Sequence, residues 1–255
     1  MRRAVVIIQA RVGSTRLPGK VLRDIGGKPM LVRVVERARA IPGISEVVVA
    51  TSTSAGDGAI VAMARTCGVA AFAGSETDVL DRFYRAACET GADVIGRVTA
   101  DCPLLDPELS GRVVRRCLEG DVDFVTNCQP PTYPDGLDTE AVSFEALRRA
   151  WSEATLPSDR EHVTPYLLKR PEAFRTARIA AACDLSALRW TVDDERDLAF
   201  VTEVYRRLNP GSGDVFGMEA VLALLAGEPA LSEINRGTSR DEGYTLSLQK
   251  DGEVP

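Results

Sequence analysis

The stretch Val5 to Leu22, VVIIQARVGSTRLPGKVL, decides how the rest of the chain reads. Val5 to Ile8 is a short, continuous run of β-branched residues, the pattern of a strand buried on both faces. It breaks into a loop that holds Gly13, Ser14, Pro18 and Gly19, with Arg11, Arg16 and Lys20 spaced along it. Asp24 is the first acidic residue of the protein, and six basic residues precede it (Arg2, Arg3, Arg11, Arg16, Lys20, Arg23). A glycine-bearing loop that leaves a strand end with backbone N–H groups and three cations is suited to polyphosphate.

The spacing excludes the commonest phosphate loop. That motif needs five positions from its first Gly to the Gly before Lys, followed by Ser or Thr. Here Gly13 to Gly19 spans six positions and Val21 follows Lys20, so no hydroxyl is placed for a metal. A GxGxxG dinucleotide fingerprint is also missing. The loop resembles the signature of nucleotide-sugar pyrophosphorylases, specifically the cytidylyltransferases that activate acidic sugars. Ala10, Arg11, Gly13, Ser14, Arg16, Leu17, Pro18, Gly19, Lys20, Gly27, Lys28 and Pro29 all match it. The resemblance implies a GT-A-like, Rossmann-like α/β fold and a nucleotide bound by Ala10, Arg11, Gly13, Ser14, Arg16 and Lys20.

Composition narrows the class. The 255 residues suit one large α/β domain, and a net charge of −6 argues against a general nucleic-acid binder. The basic loop is therefore a local feature of an acidic protein. Six cysteines are scattered without a CxxC pair, which indicates neither a zinc site nor a disulfide framework. No apolar run reaches membrane length, and the residues before the first strand do not make a signal-peptide core. The expectation is a soluble, cytoplasmic protein with no membrane or nucleic-acid partner.

Periodicity predicts strands at 46–51, 69–72, 93–99 and 123–126, with helices at about 29–38, 57–67, 77–90 and 107–118. This alternation calls for a mostly parallel sheet flanked by helices. The rhythm is lost after 127. CQPPTYPDGLDTE (128–140) reads as a long irregular connection, followed by helical stretches near 143–153 and 159–169 and strands near 174–179 and 189–192. Helices follow at 194–208 and 218–225. Residues 1–226 are expected to form a single nucleotidyltransferase domain, with a nucleotide-binding half (1–127) and a small acceptor and dimerisation annex (128–226). Residues 227–255 read as a polar, weakly patterned tail.

Two carboxylates stand at strand exits. Asp101, in TADCPLLDP, falls at the carboxyl end of a strand, where open α/β sheets bind ligands. Asp193, in RWTVDDERDL, follows a second apolar run. A carboxylate pair from distant strand ends suits phosphate-bound Mg²⁺, and the resemblance assigns that metal to Asp101 and Asp193. Thr99-Ala100 stands where several relatives have Gln-Gly, which leaves the choice of base open. Asp194 and Glu195 sit at a helix start and need only their charge there. Facing each other without a metal, Asp101 and Asp193 would repel, so Asp101→Asn is expected to leave the metal-free protein as stable or slightly more so.

GSETDVLDRF (74–83) resembles the Gly-Thr-Asp-Arg segment of sugar-acid relatives, so Arg82 is read either as a nucleotide-binding residue or as a solvated charge on a helix. YPDGLDTEAVSFEAL, DREHVTPY and the closing DEGYTLSL resemble the spore-coat polysaccharide branch of the family. Asp138 and Glu140 are candidates for acceptor binding, with His162, the single histidine, read either as a general base or as a hydrogen-bonded structural residue. The resemblance implies a Mg²⁺-dependent enzyme that joins CMP from CTP to a small acidic sugar, with Arg11, Lys20 and Asp101 catalytic and the protein a homodimer. Another nucleotide, a sugar-phosphate or phosphonate acceptor, or a non-catalytic nucleotide-binding domain are the alternatives.

Overall fold

The computed structural model describes residues 2–14, 16–209, 215–237, 240 and 242–252. Strand β1 (Ala4–Gln9) runs up the middle of a seven-stranded sheet. The short hairpin β2 (Asp24–Ile25) and β3 (Lys28–Pro29) follows the basic loop, and helix α1 (Met30–Arg39) starts directly after Pro29. Then come β4 (Glu46–Ser52), α2 (Gly58–Thr66), β5 (Ala70–Gly74), α3 (Val79–Thr90), β6 (Val94–Thr99) and α4 (Pro107–Leu118). The second half supplies β7 (Phe124–Thr126), β8 (Glu140–Ser143), α5 (Phe144–Glu153), α6 (Pro157–His162), α7 (Pro165–Leu168) and β9 (Thr176–Arg178). Helices α8 (Glu195–Leu208), α9 (Met218–Gly227) and α10 (Glu242–Asp251) complete the chain.

The strand order is β5-β4-β1-β6-β8-β7-β9. Strands β5, β4, β1 and β6 are mutually parallel, β8 runs antiparallel to β6 and β7, and β9 is parallel to β7. Chain order reverses about β1: β4 lies on one side and β6 on the other. The loops leaving β1 and β6 therefore diverge and open a crevice at the carboxyl edge of the sheet.

Because alternate residues face opposite sides of a strand, the apolar run of β1 feeds two cores. Val5 and Ile7 pack with Phe83 and Leu147 on the α3 and α5 side, whereas Val6 and Ile8 pack with Val34 and Ile60 on the α1 and α2 side. All four are fully buried, each contributing roughly 1.5–3 kcal/mol. A third core joins Leu17, Met30 and Trp190 to Phe200 and Val204 of α8, and it ties the basic loop to the second half of the chain.

Three expectations are corrected. The extended run 189–192 is not a strand of the sheet. Its backbone is stitched between the exit of β6 and the connection from β7 to β8, with Trp190 N–H donating to Asp135 O (2.6 Å) and Val192 N–H to Asp101 O (2.8 Å). Strand β8 is missed because its four residues (EAVS) are all buried, show no alternation, and sit between a proline-rich connection and a helix. The tail also holds more structure than its polarity suggests: a 3₁₀ turn at Pro229–Glu233 and helix α10. Residues 238–239, 241 and 253–255 of that tail lie outside the described residues.

Candidate active site

The basic loop is pinned at both ends. Ala10 N–H donates to Ala50 O (3.0 Å) and Val12 N–H to the Asp57 carboxylate (2.7 Å), which also accepts from Ser52. Burial would raise the Asp57 pKa, but these donors outweigh it and lower it, so the anchor stays ionised. Further along, Leu17 is buried in the core and Gly19 N–H returns to Val12 O (3.2 Å). Gly19, at φ +67°, opens a single 3₁₀ turn over Lys20–Leu22. That left-handed residue suits glycine, and the turn after it aims Lys20 inward.

Lys20 is the hub. Its Nζ lies 2.8 Å from Asp101 Oδ2, 2.7 Å from Asp193 Oδ1 and 3.0 Å from Val192 O, so its three donors meet three oxygens. Its side chain is 12% exposed and that of Asp101 27%. Burial opposes both charges, yet their pairing prevails: the Lys20 pKa is raised, and Asp101 is held down at about 2. The other Asp193 oxygen accepts from Arg16 (3.1 Å) and Arg189 (2.8 Å).

Arg189 is a site-building residue that sequence reasoning passed over. Almost wholly buried, it grips both oxygens of Asp197 at 3.0 Å and donates to Asp135 at 2.9 Å. Asp197 closes the capping box of α8 with Asp194 and accepts from the Asp193 N–H (2.9 Å). The cluster thus fixes the backbone on which Asp193 stands. The visible signal was the Asp194-x-x-Asp197 spacing at a helix start; the Arg189 contact with Asp135 crosses 54 residues and leaves no pattern. Asp194 and Glu195 take the helix-start positions expected of them, and Glu195 pairs with Arg23 at 3.1 Å.

The remaining candidates fall into two groups. Arg11 is exposed and Gly13 open, and the Ser14 hydroxyl accepts from Leu17 N–H (3.4 Å). The Ala10 N–H is already committed to Ala50. Arg82 is 1% exposed, which removes the solvated-charge alternative. It donates to Ser75 O (3.0 Å), while its buried Nε has no partner among the described residues. Burial, with the charge of Arg11 as a lesser cause, lowers its pKa to about 10 against the pull of Asp57. Two neighbouring guanidiniums, one of them buried without a carboxylate in direct contact, form a place for an anion.

Asp138, Glu140 and His162 line one cavity of about 370 Å³, together with Arg97, Thr99 and Lys169. Thr99 connects it to the charged hub, because it ends β6 two residues before Asp101 and its hydroxyl meets Cys102 Sγ at 3.2 Å. Glu140 is buried and saturated by Arg97 (2.7 Å) and the Thr164 hydroxyl (2.9 Å). Asp138 pairs with Arg240, and His162 Nε2 shares a hydrogen bond with Ser247 (2.9 Å).

The donor set at the hub fits Mg²⁺. Asp101, Asp193 and the Val192 carbonyl are hard oxygens converging on one point that already holds a cation, the Lys20 ammonium. No group of three or more His, Cys, Asp or Glu suited to a metal occurs among the described residues. Two carboxylates suffice for an ion that keeps waters and substrate phosphates as its other ligands.

A family model described as Cytidylyltransferase matches residues 5–207. The spore coat polysaccharide biosynthesis protein SpsF of Bacillus subtilis is 31% identical over 240 residues, covering 91% of this chain and 98% of that protein. A 3-deoxy-manno-octulosonate cytidylyltransferase of Anaeromyxobacter is 40% identical over 133 residues, 51% of this chain and 52% of its own. A cytidylyltransferase structure from Leptospira borgpetersenii superposes with a TM-score of 0.87 at 29% identity, covering 94% of this chain and all of that one.

Proposed function

The chain belongs to the cytidylyltransferase family, and from that premise we propose that it transfers CMP from CTP to an acidic sugar of the nonulosonate type and releases pyrophosphate. The reading is carried by one observation: Lys20, from the loop after β1, closes on Asp101 and Asp193 in the crevice between β1 and β6. In this reaction the anomeric hydroxyl of the sugar attacks the α-phosphorus of CTP. The new P–O bond forms as the bond from the α-phosphorus to the β-phosphate oxygen breaks, and the hydroxyl proton passes to water. Such chemistry rests on positioning and charge neutralisation. Arg11, Arg16 and Lys20 hold the triphosphate and offset the charge of the departing pyrophosphate. Arg82 beside Arg11 extends that cationic wall, and Ala10, Gly13 and Ser14 contribute the loop surface against the nucleotide.

Mg²⁺ held by Asp101 and Asp193 would supply charge neutralisation at the α-phosphate and make the acceptor hydroxyl more acidic. Lys20 and Arg16, which now occupy those carboxylates, then become available to phosphate oxygens. Asp138, Glu140 and His162 face the acceptor in the adjoining cavity. The names of the sugar-acid and spore-coat relatives support an acidic sugar as that acceptor and a role in polysaccharide or glycan synthesis.

The test is pyrophosphate release over four nucleotides and a panel of sugar acids, paired with melting in each nucleotide plus Mg²⁺. CTP at a hundredfold over its Kd stabilises the fold by about 2.7 kcal/mol. Larger shifts with GTP or dTTP, and none with CTP, would sink cytidylyl transfer for this chain. We further propose a homodimer that uses part of 128–180. Support comes from the half-buried aromatic stack of Trp151 on Tyr84 (4.2 Å between ring centroids), with Phe144 behind it. Light scattering that finds an active monomer at micromolar concentration would discard the dimer.

A further inference from the structure

The matched family region ends at residue 207, and the loop cations, Asp101 and Asp193 all lie within it. Arg240 and helix α10 (Glu242–Asp251) lie outside it, yet they reach the acceptor cavity. The Tyr244 ring forms part of the cavity wall and meets the His162 ring edge-on, with centroids 5.1 Å apart. Ser247 Oγ hydrogen-bonds His162 Nε2 and Glu161 Oε2, both at 2.9 Å. Arg240 pairs with Asp138 and donates to Tyr133 O (3.3 Å). Asp251 receives the Ser158 N–H (2.9 Å) and hydroxyl (2.5 Å) at the start of α6.

Two of the three acceptor candidates are therefore held by this segment, while the third, Glu140, is held from the sheet by Arg97 and Thr164. Leu248 of α10 is among the most exposed large apolar residues described. A helix that places an aromatic ring in the wall of a cavity bears on what that cavity holds. The wall chemistry names the ligand class. An aromatic face beside hydroxyls (Thr99, Thr164) and paired charges suits a polyhydroxylated carboxylate, whose C–H face packs on a ring while its polar groups find donors and acceptors.

We propose that Arg240 and helix α10 (Glu242–Asp251) are the acceptor-selecting element of this enzyme, with Tyr244 contacting the sugar acid and Arg240 and Ser247 positioning Asp138 and His162. This rests on the sugar-acid reading of the adjoining site. The contacts of the segment fall on the acceptor cavity and on α6, so it acts on acceptor choice.

His162 is the single histidine of the chain, so its ring resonances report on the cavity without ambiguity. The full-length protein, Tyr244→Ala, Ser247→Ala and a chain ending at residue 237 are titrated with 3-deoxy-manno-octulosonate and with N-acetylneuraminate. His162 shifts, CTP-induced melting shifts and turnover are recorded for each. The expected result is a saturable His162 response in the full-length protein, at least tenfold weaker in Tyr244→Ala and altered in the ratio of the two sugars. CTP stabilisation stays within twofold throughout. If the shortened chain does not fold, the two point variants decide. Tail variants that bind and turn over both sugars as the full chain does would overturn the proposal while leaving cytidylyl transfer intact. A tail-dependent His162 response without turnover of either sugar would uphold tail-dependent binding and overturn the proposed reaction. No response and no turnover would overturn both.

Discussion

Asp101 and Asp193 hold the same ammonium group: Lys20 Nζ stands 2.8 Å from one carboxylate and 2.7 Å from the other. Two carboxylates meeting in a cleft would repel, but here a cation sits between them. The expectation that Asp101→Asn is neutral or stabilising in the metal-free protein is therefore reversed, because the variant loses a charge-assisted hydrogen bond. With both groups partly exposed, the cost is about 1 kcal/mol. Thermal melts without metal check this, and an Asp101→Asn protein as stable as the parent would show that the bridge contributes nothing.

Lys20→Ala gives a complementary result. It leaves two carboxylates without their shared cation, so the metal-free protein is destabilised by roughly 1–2 kcal/mol. Added Mg²⁺ then raises its melting temperature more than it raises the parent's, since the vacated point suits a cation. Turnover falls because a phosphate-holding charge is gone. Equal Mg²⁺ shifts in the two proteins would place the ion elsewhere.

The Asp101 pKa, lowered to about 2 by Lys20 against the effect of burial, sets an acid limit. A carboxylate depressed in the folded state contributes stability above its unfolded pKa and loses it as pH falls through the folded value. The window therefore runs from about pH 4 down to about pH 2, and Asp101 accounts for about 1 kcal/mol of the loss there. Urea titrations across that range should show Asp101→Asn losing correspondingly less stability than the parent.

Gly136 lies at φ +104°, and a Cβ there would sit 2.5 Å from Thr191 N and 2.6 Å from Trp190 C. Gly136→Ala must push the 189–192 run away from Asp135, moving Asp193 with it. The expected loss is on the order of 3 kcal/mol, with turnover reduced beyond the loss of folded protein. Active-site titration of the folded fraction separates the two effects.

Arg189→Lys keeps the charge but not the fork that spans Asp197, Asp135 and Asp193. A single ammonium cannot satisfy three carboxylates in that geometry, so stability falls by about 2–4 kcal/mol. Denaturant unfolding measures it; a change below 0.5 kcal/mol, within ordinary surface scatter, would mean that the cluster tolerates a point charge.

Local patterns carried much of this protein. The β-branched run at Val5 to Ile8, the loop spacing of Arg11, Gly13, Arg16 and Lys20, and the helix-start chemistry of Asp194 and Glu195 are legible because each is decided by neighbours a few residues away. They were enough to place a mostly parallel sheet and to mark Asp101 as a strand-exit carboxylate, whereas the run before Asp193 lies outside the sheet. Tertiary structure alone decided what those carboxylates touch. Lys20 reaches Asp193, and Arg189 reaches Asp135, across separations that only the topology about β1 and the 189–192 run can close. The same holds for the burial of Arg82 and for the approach of Tyr244 to His162. Side-chain charge and periodicity are written along the chain, whereas desolvation and pairing depend on which distant segments the packed cores bring together.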